Sequence, residues 1–538
     1  MRAARAMPSA WLLAGILWVG FALRLPLLDR FALHPDEAIY SYWALYSRQV
    51  DPLFLQVWPD KPPLYLWLLG WVLEGLGATA VTARLLNVAV SVLSIAVCAA
   101  LARRWWGERA ALLAALLLAL NPLAISFAPT AFTDPLMVLA GLLALCLAAS
   151  RRWLWAGIWL GGALMTKQQG LLFAPWVVAA LFWPAESRPR TLSALTALLA
   201  GLLLVVAPIV CWDSLRWAVA PSPWDLGARH ASGLALAAPE SWLPRLLSWA
   251  NLSATALGPP WPWGLLLGAV GWRALQRERL KAGRAAGIGG RSPTPGPTPA
   301  SQPAWTLALW GLGFLALHLL STAQIWDRYL LPLAPAVALL GAFGAVWALA
   351  PEGRLSTAAL PATFLALWLG FLAMPAGRAA LGQLALGGDR GAFTGIEEIS
   401  GWLAERTAGR PVLYHRILGW HFNFYLFAPV QSGRLELRWY PSTVHLADNA
   451  AKSPHRPRYL VEADWSPDRD LAVQLALRRL RALPLLRAGR FTLYAIDEKD
   501  PHPQPWRLCA WPPALPTGWT LLARGDFEPT RSLVRGSP

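Results

Sequence analysis

Residues 81–127 read VTARLLNVAVSVLSIAVCAALARRWWGERAALLAALLLALNPLAISF. Two apolar runs, 81–101 and 109–127, flank a short segment that carries Arg103 and Arg104, with Arg109 opening the second run. Each run approaches the roughly 20 residues needed to cross a bilayer core, and basic residues in a short loop mark its cytoplasmic side. The stretch therefore reads as two membrane helices joined on the inner face. Further windows of the same kind fall at 10–28, 131–149, 153–166, 169–183, 191–212, 252–271, 304–323, 329–349 and 356–375. Composition agrees: 56% of the 538 residues are hydrophobic and only 14% charged, with a mean hydropathy of +0.41, too apolar for an ordinary soluble enzyme. The expected fold is an α-helical polytopic membrane protein of about 11 transmembrane helices.

Loop charge sets the orientation. With the N-terminus inside, the inner segments hold Arg2, Arg5, Arg103, Arg104, Arg109, Arg151, Arg152, Arg188 and Arg190, then a basic linker and Arg354. The outer segments hold half as many basic residues, which places the N-terminus in the cytoplasm. Much of the net charge of +17 sits in these inner loops or is scattered through the tail, and anionic lipid headgroups would attract the loops as well. No basic helix or aromatic RNA-binding motif accompanies it, so nucleic acid is not an expected partner. Arg24 and Arg84 lie near helix ends, where long side chains can snorkel. The four cysteines show no disulfide framework or zinc spacing.

Residues 1–375 are expected to form the transmembrane domain, with an outer loop at 29–80 and a Gly/Pro-rich inner linker at 281–303. Charge rises and apolar runs shorten from 376, so 376–538 is expected to be an outer-facing soluble α/β domain with an irregular tail. Its predicted elements are helices at 395–408, 418–427 and 468–482, and strands at PVLYH 411–415, RYLVEA 458–463 and FTLYAI 491–496. His415, His421 and Glu462 there lack metal-ligand spacing and read as packing or surface residues.

In this topology a set of ionisable residues emerges on the outer side. HPDEAIYSYWALYSRQ at 34–49 holds Asp36 and Glu37 at the start of a predicted amphipathic helix lying on the membrane surface. The same two acids also suit a plain helix N-terminus after Pro35. WPDKPPLYLWLLGWVLEGLG at 58–77 adds Asp60 and Lys61 before an interfacial apolar helix, and AFTDPLMVL at 131–139 adds Asp134, where capping is the alternative. LMTKQQGLLFAP at 164–175 places Lys167 in a short connection, and QIWDRYLLPLAP at 324–335 places Asp327 and Arg328 at a helix start. Charges at membrane depth point to function. Carboxylates can take a proton or hold a metal, and Lys and Arg can bind phosphate, which together suit a lipid-linked phosphate substrate.

The ordered motifs PDEAIY, PDKPPLYLWLL, FTDPL, TKQQG and RYLLPLAP resemble the polytopic glycosyltransferases of the dolichyl-phosphate-mannose protein mannosyltransferase type. The lipid A aminoarabinose transferases are similar, and both have the GT-C fold of glycosyltransferase family 39. The resemblance spans about residues 10–350. It implies sugar transfer from a polyprenyl-phosphate donor to a protein, lipid or glycan acceptor on the outer face of the cell membrane. By the same resemblance Asp36 would be the general base of an inverting transfer, with Glu37 supporting it. Asp134 and Lys61 would pair and orient one another. Lys167 and Arg328 would bind the departing phosphate, with Asp327 beside them. Asp60 matches a position that ligates a metal in some relatives, so a divalent metal is the one cofactor entertained, without a histidine to serve as second ligand. Gln168 and Gln169 depart from the Gly and Pro that relatives often carry. A transporter or flippase of lipid-linked or small solutes is the competing class, but that class favours internal repeats and mid-membrane charges, and no repeat is visible in this chain.

Overall fold

The structure, a computed structural model, describes residues 2–183, 191–230, 235–258, 263–268, 270–272, 275, 301–348, 359–389 and 391–498. Most of the linker 281–303, the tail after 498 and the inner arginines 188, 190 and 354 lie outside them. Two compact units divide the chain: Met1–Arg30 with Trp43–Gly388, and Phe31–Tyr42 with the chain from Asp389 onward.

The first unit is helical. Among the described residues three helices, Ala80–Trp106, Thr191–Arg216 and Gln302–Leu320, are long and apolar enough to cross a membrane. Shorter apolar helices include Ser9–Ala22, Leu64–Leu76, Asp134–Ala149, Trp153–Thr166 and Leu333–Ala348. Several expected spans are thus interrupted. The window 109–127 divides into Glu108–Ala119 and Pro122–Phe127, because Pro122 supplies no N–H and the Asn121 side chain caps the new helix by accepting from Ala124 N at 2.9 Å. The carbonyls left at the break are taken up by Arg24, which donates to Leu118 O at 3.3 Å and Ala119 O at 3.2 Å, and to Ser91 Oγ at 2.8 Å. Arg24 and Arg84 are both buried and therefore do not snorkel. The window 252–271 is likewise broken, since its first helix runs Pro239–Ala256 and ends before Gly258. Residues 168–182 begin as a 3-10 helix, Gln168–Phe173, before Ala174–Ala179.

Helices Trp153–Thr166 and Thr191–Arg216 approach backbone to backbone. A Cβ on Gly157 would lie 1.9 Å from Leu198 O, and one on Gly201 would lie 1.9 Å from Leu154 O, the small-residue contact that brings membrane helices together. The helix Pro35–Gln49 forms as expected, but Tyr40, Ser41, Tyr42, Trp43, Ala44, Leu45 and Tyr46 are all buried in succession. A helix resting on a membrane surface leaves one face open, so its expected surface-lying role is corrected.

In the second unit five strands are ordered β2-β1-β3-β5-β4: β1 is Val412–His415, β2 Glu436–Trp439, β3 Arg458–Ala463, β4 Leu480–Ala488 and β5 Phe491–Glu498. β1 pairs in parallel with β2 and β3, whereas β5 runs antiparallel to β3 and β4. Alternation along the strands sends Leu413, Val461 and Leu493 to one face, with Ile399 and Phe422, and Val412, Tyr414 and Leu460 to the other, with Leu446 and Leu475. The expected helix 468–482 is corrected: it is confined to Leu471–Ala476, and Arg479 at φ 58° turns the chain into β4.

His421 and His415 sit in this core, the former stacked on Phe393 at 4.4 Å and hydrogen-bonded through Nε2 to Leu33 O at 2.8 Å. Burial pushes both imidazoles down to about 4. The unfolded chain binds protons near pH 6.5 and the folded one does not, so stability falls as pH drops from 6.5 towards 4, by up to about 3 kcal/mol per histidine. Hydrogen exchange of the β1 and β3 amides in the full chain should show protection lost across this window, less steeply in His421→Gln, which keeps a donor without titrating there.

Candidate functional site

In the first unit Asp134 opens the helix Asp134–Ala149, yet neither it nor Thr133 supplies a side-chain cap to that helix. Its carboxylate instead accepts a hydrogen bond from Lys167 Nζ at 2.6 Å, with the two side chains only 2% and 6% exposed. Lys167 stands in extended conformation between Trp153–Thr166 and the 3-10 helix Gln168–Phe173. That tight junction requires Gly170, where a Cβ would meet Ala163 backbone at 2.3 Å. Burial, seconded by the charges of Arg328 and Lys61, draws the Lys167 ammonium down to about 8 against the pull of Asp134.

Two cations converge on one ring. Lys167 Nζ lies 4.8 Å from the centroid of Tyr329, and the Arg328 guanidinium lies 5.9 Å from it, 5.0 Å from Phe132 and 5.5 Å from Trp326. Asp327 accepts from the backbone N–H groups of Arg328 and Gly387, each at 2.8 Å, and burial raises its carboxyl above the ordinary value despite them. Asn87 holds the segment leading to Asp134, its amide donating to Thr130 O at 2.6 Å and Phe132 O at 2.7 Å.

Lys61 is paired with Asp60 at 2.5 Å, and His230 Nδ1 lies 3.1 Å from the same carboxylate. The expected pairing of Lys61 with Asp134 is thereby corrected, because the nearer Lys167 occupies Asp134. Burial works to raise Asp60, but Lys61 and His230 outweigh it and hold the carboxyl low. Gln168 ties this loop in place, donating to Asp60 O at 2.9 Å and Pro223 O at 3.1 Å, which gives its departure from the family pattern a structural use. Among the described residues no group of three or more His, Cys, Asp or Glu could hold a metal. Asp60 and His230 bring a carboxylate and an imidazole nitrogen within 3.1 Å of one another, two donor types that divalent metals accept, with Lys61 as the competing cation on the same carboxylate.

Asp36 and Glu37 belong to the second unit. Glu37 Oε2 accepts from His34 N–H at 2.8 Å, and Asp36 N–H donates to His34 Nδ1 at 3.1 Å. Glu37 thus performs the reach-back half of a capping box. Residues not singled out from sequence are Asn87, His318 and Tyr329. His318 stacks on Phe314 at 4.3 Å and lies 6.0 Å from Tyr329. His318 is the ionisable side chain of the apolar helix Gln302–Leu320, and Asn87 lies near Arg84 and Ser91 in Ala80–Trp106, polar positions in apolar helices that were open to reading.

Residues 60–212 match the family model described as dolichyl-phosphate-mannose-protein mannosyltransferase. No curated protein matches the chain in sequence. Solved structures similar to it include ArnT from Cupriavidus metallidurans in the apo state, with a TM-score of 0.60 and 18% identity over 91% of this chain and 98% of that one. The same enzyme bound to undecaprenyl phosphate gives a TM-score of 0.56 and 16% identity over 92% and 98%. The archaeal oligosaccharyltransferase AglB from Archaeoglobus fulgidus, in complex with an inhibitory peptide and a dolichol-phosphate, gives 0.52 and 12% over 96% and 76%. The chain shares the GT-C fold with these glycosyltransferases, and the resemblance read from its motifs stands.

Proposed function

We propose that this GT-C chain is an integral-membrane glycosyltransferase that moves a sugar from a polyprenyl-phosphate donor to an acceptor on the outer face of the membrane. The observation that carries the reading is the buried Lys167–Asp134 pair beside Arg328, within a segment partly matched by the mannosyltransferase model. Undecaprenyl phosphate in the ArnT structure and dolichol-phosphate in the AglB structure support a lipid phosphate as the leaving group.

In this reading Asp36 takes the proton from an acceptor hydroxyl or amine as that atom attacks the anomeric carbon. The bond from that carbon to the phosphate oxygen breaks, and its electron pair leaves with the polyprenyl phosphate. Lys167 and Arg328 stabilise the negative charge that develops there, while Asp134 and Asp327 fix the groups that carry it. Glu37 holds the helix start that presents Asp36, and Lys61 adds positive potential near Lys167.

Purified protein in liposomes is expected to release free polyprenyl phosphate from a matching polyprenyl-phosphate sugar when acceptors are supplied; silence with every donor and acceptor of a broad panel overturns the reading. With Lys167 titrating at about 8, its charge is present below that pH and lost above it. The KM for donor should therefore climb as pH rises beyond 8, and the climb should vanish in Lys167→Arg, whose guanidinium does not titrate there.

A further inference from the structure

The second unit carries a groove that takes no part in the chemistry above. It has a volume of about 510 Å³ and runs along the edge strand β2, lined by His415, Asn423, Val430, Leu437, Trp439, Arg410, Glu436 and Arg456 among others, within the range of small-ligand sites. Its two ends differ. At the start of β2, Arg410 donates through Nε to Gly433 O at 3.0 Å, and Arg456 donates to Arg410 O at 2.7 Å and to Glu436 at 2.6 Å. Arg438 also engages Glu436, so the single carboxylate of this end is shared by two guanidiniums and the end stays positive. Although burial works the other way, Arg456 and Arg438 hold the Glu436 carboxyl below its ordinary value, and it remains an anion. These anchors leave further N–H donors on both Arg410 and Arg456, already oriented.

At the far end of β2, Trp439 is 59% exposed, an indole ring open for stacking. Beside it stand the amide of Asn423 and the ring of His415. His415 is only 6% exposed, and its Nδ1 has no hydrogen-bond partner, an unusual state for a buried polar group. Between the ends the floor is apolar, from Val430, Leu435 and Leu437. The strand steps from Glu436 to Trp439 span roughly 10 Å, the length of two pyranose rings.

We propose that this groove binds an anionic saccharide, with a phosphate or carboxylate on Arg410 and Arg456 and a sugar ring stacked on Trp439. That the saccharide is part of the acceptor rests on the glycosyltransferase reading; the binding itself does not. A sugar face matches an exposed indole, its hydroxyls match the amide and imidazole, and its anion matches oriented guanidiniums.

Calorimetric titration of the full chain in detergent, without donor, tests this with maltose 1-phosphate, digalacturonic acid, neutral maltose and inorganic phosphate as probes. At least one anionic disaccharide should bind about tenfold more tightly than maltose and than inorganic phosphate. Trp439→Ala and Arg410→Gln alter exposed side chains and should each weaken that binding about tenfold with an unchanged melting temperature. Inorganic phosphate binding as tightly as the disaccharides would reduce the groove to an anion site and overturn the proposal. So would binding that both variants leave intact, or no binding of either anionic disaccharide. Because no turnover is measured, failure here leaves the glycosyltransferase reading standing, and failure of that reading leaves this result standing.

Discussion

Lys167→Met is expected to cost the first unit about 3–5 kcal/mol of stability, because it strands the Asp134 carboxylate without its partner in a buried site. Asp134 and Lys167 are 2% and 6% exposed and joined at 2.6 Å, so neither charge has water to fall back on. The same change removes a cation proposed to stabilise the departing phosphate, and turnover should fall by about 10²–10³. A loss of fold would also silence the enzyme, so the informative protein is the double variant Lys167→Met/Asp134→Leu. Replacing a buried ion pair by apolar side chains of similar volume is often neutral for stability, and the double variant should melt near wild type while remaining inactive. Recovered turnover together with recovered stability would show that the pair only holds the helices together. Thermal melting and release of polyprenyl phosphate, measured on the same preparations, distinguish the two.

The pair shows where sequence reading stops. Asp134 and Lys167 were legible as charges in apolar surroundings, each in its own motif, but their contact joins residues 33 apart in the chain and depends on which helices become neighbours. Loop charge and hydropathy carry no such information, and the family pattern pointed to Lys61 instead. His230 is further still, 170 residues from Asp60, so no local spacing could announce it. In the second unit VLYH and RYLVEA were readable as strands because each holds an uninterrupted apolar stretch, at 412–414 and 459–461, of the kind a central strand covered on both faces requires. β2, an edge strand with the sequence ELRW, carries two charges and gives no such run. β4 was hidden for another reason: its leucines and arginines continue the helical periodicity of Leu471–Ala476, and only the positive φ at Arg479 separates them. The interrupted helix at Leu120–Pro122 was foreshadowed by Asn-Pro, a dipeptide that starts turns and helices, which hydropathy averaging passes over.

Asp36→Asn is expected to lower kcat by about 10²–10⁴, the usual contribution of a general base, with the KM for donor unchanged. The amide is nearly isosteric, so the comparison turns on what else Asp36 does. The helix start is fastened by Glu37 Oε2 on the His34 N–H and by the Asp36 N–H on His34 Nδ1, and an asparagine at position 36 keeps both bonds. Thermal melting of the same preparation is the control for folding. Glu37→Gln provides the contrast: it weakens a charge-assisted cap, so it should lower stability by about 1 kcal/mol while much of the turnover remains. An Asp36→Asn enzyme with wild-type kcat would sink the proposed base and leave proton removal to another group. A rise in donor KM at unchanged kcat would place Asp36 with the groups that hold the phosphate. Only a fall confined to kcat, with donor binding and folding preserved, fits a carboxylate that acts on the acceptor as the new bond forms.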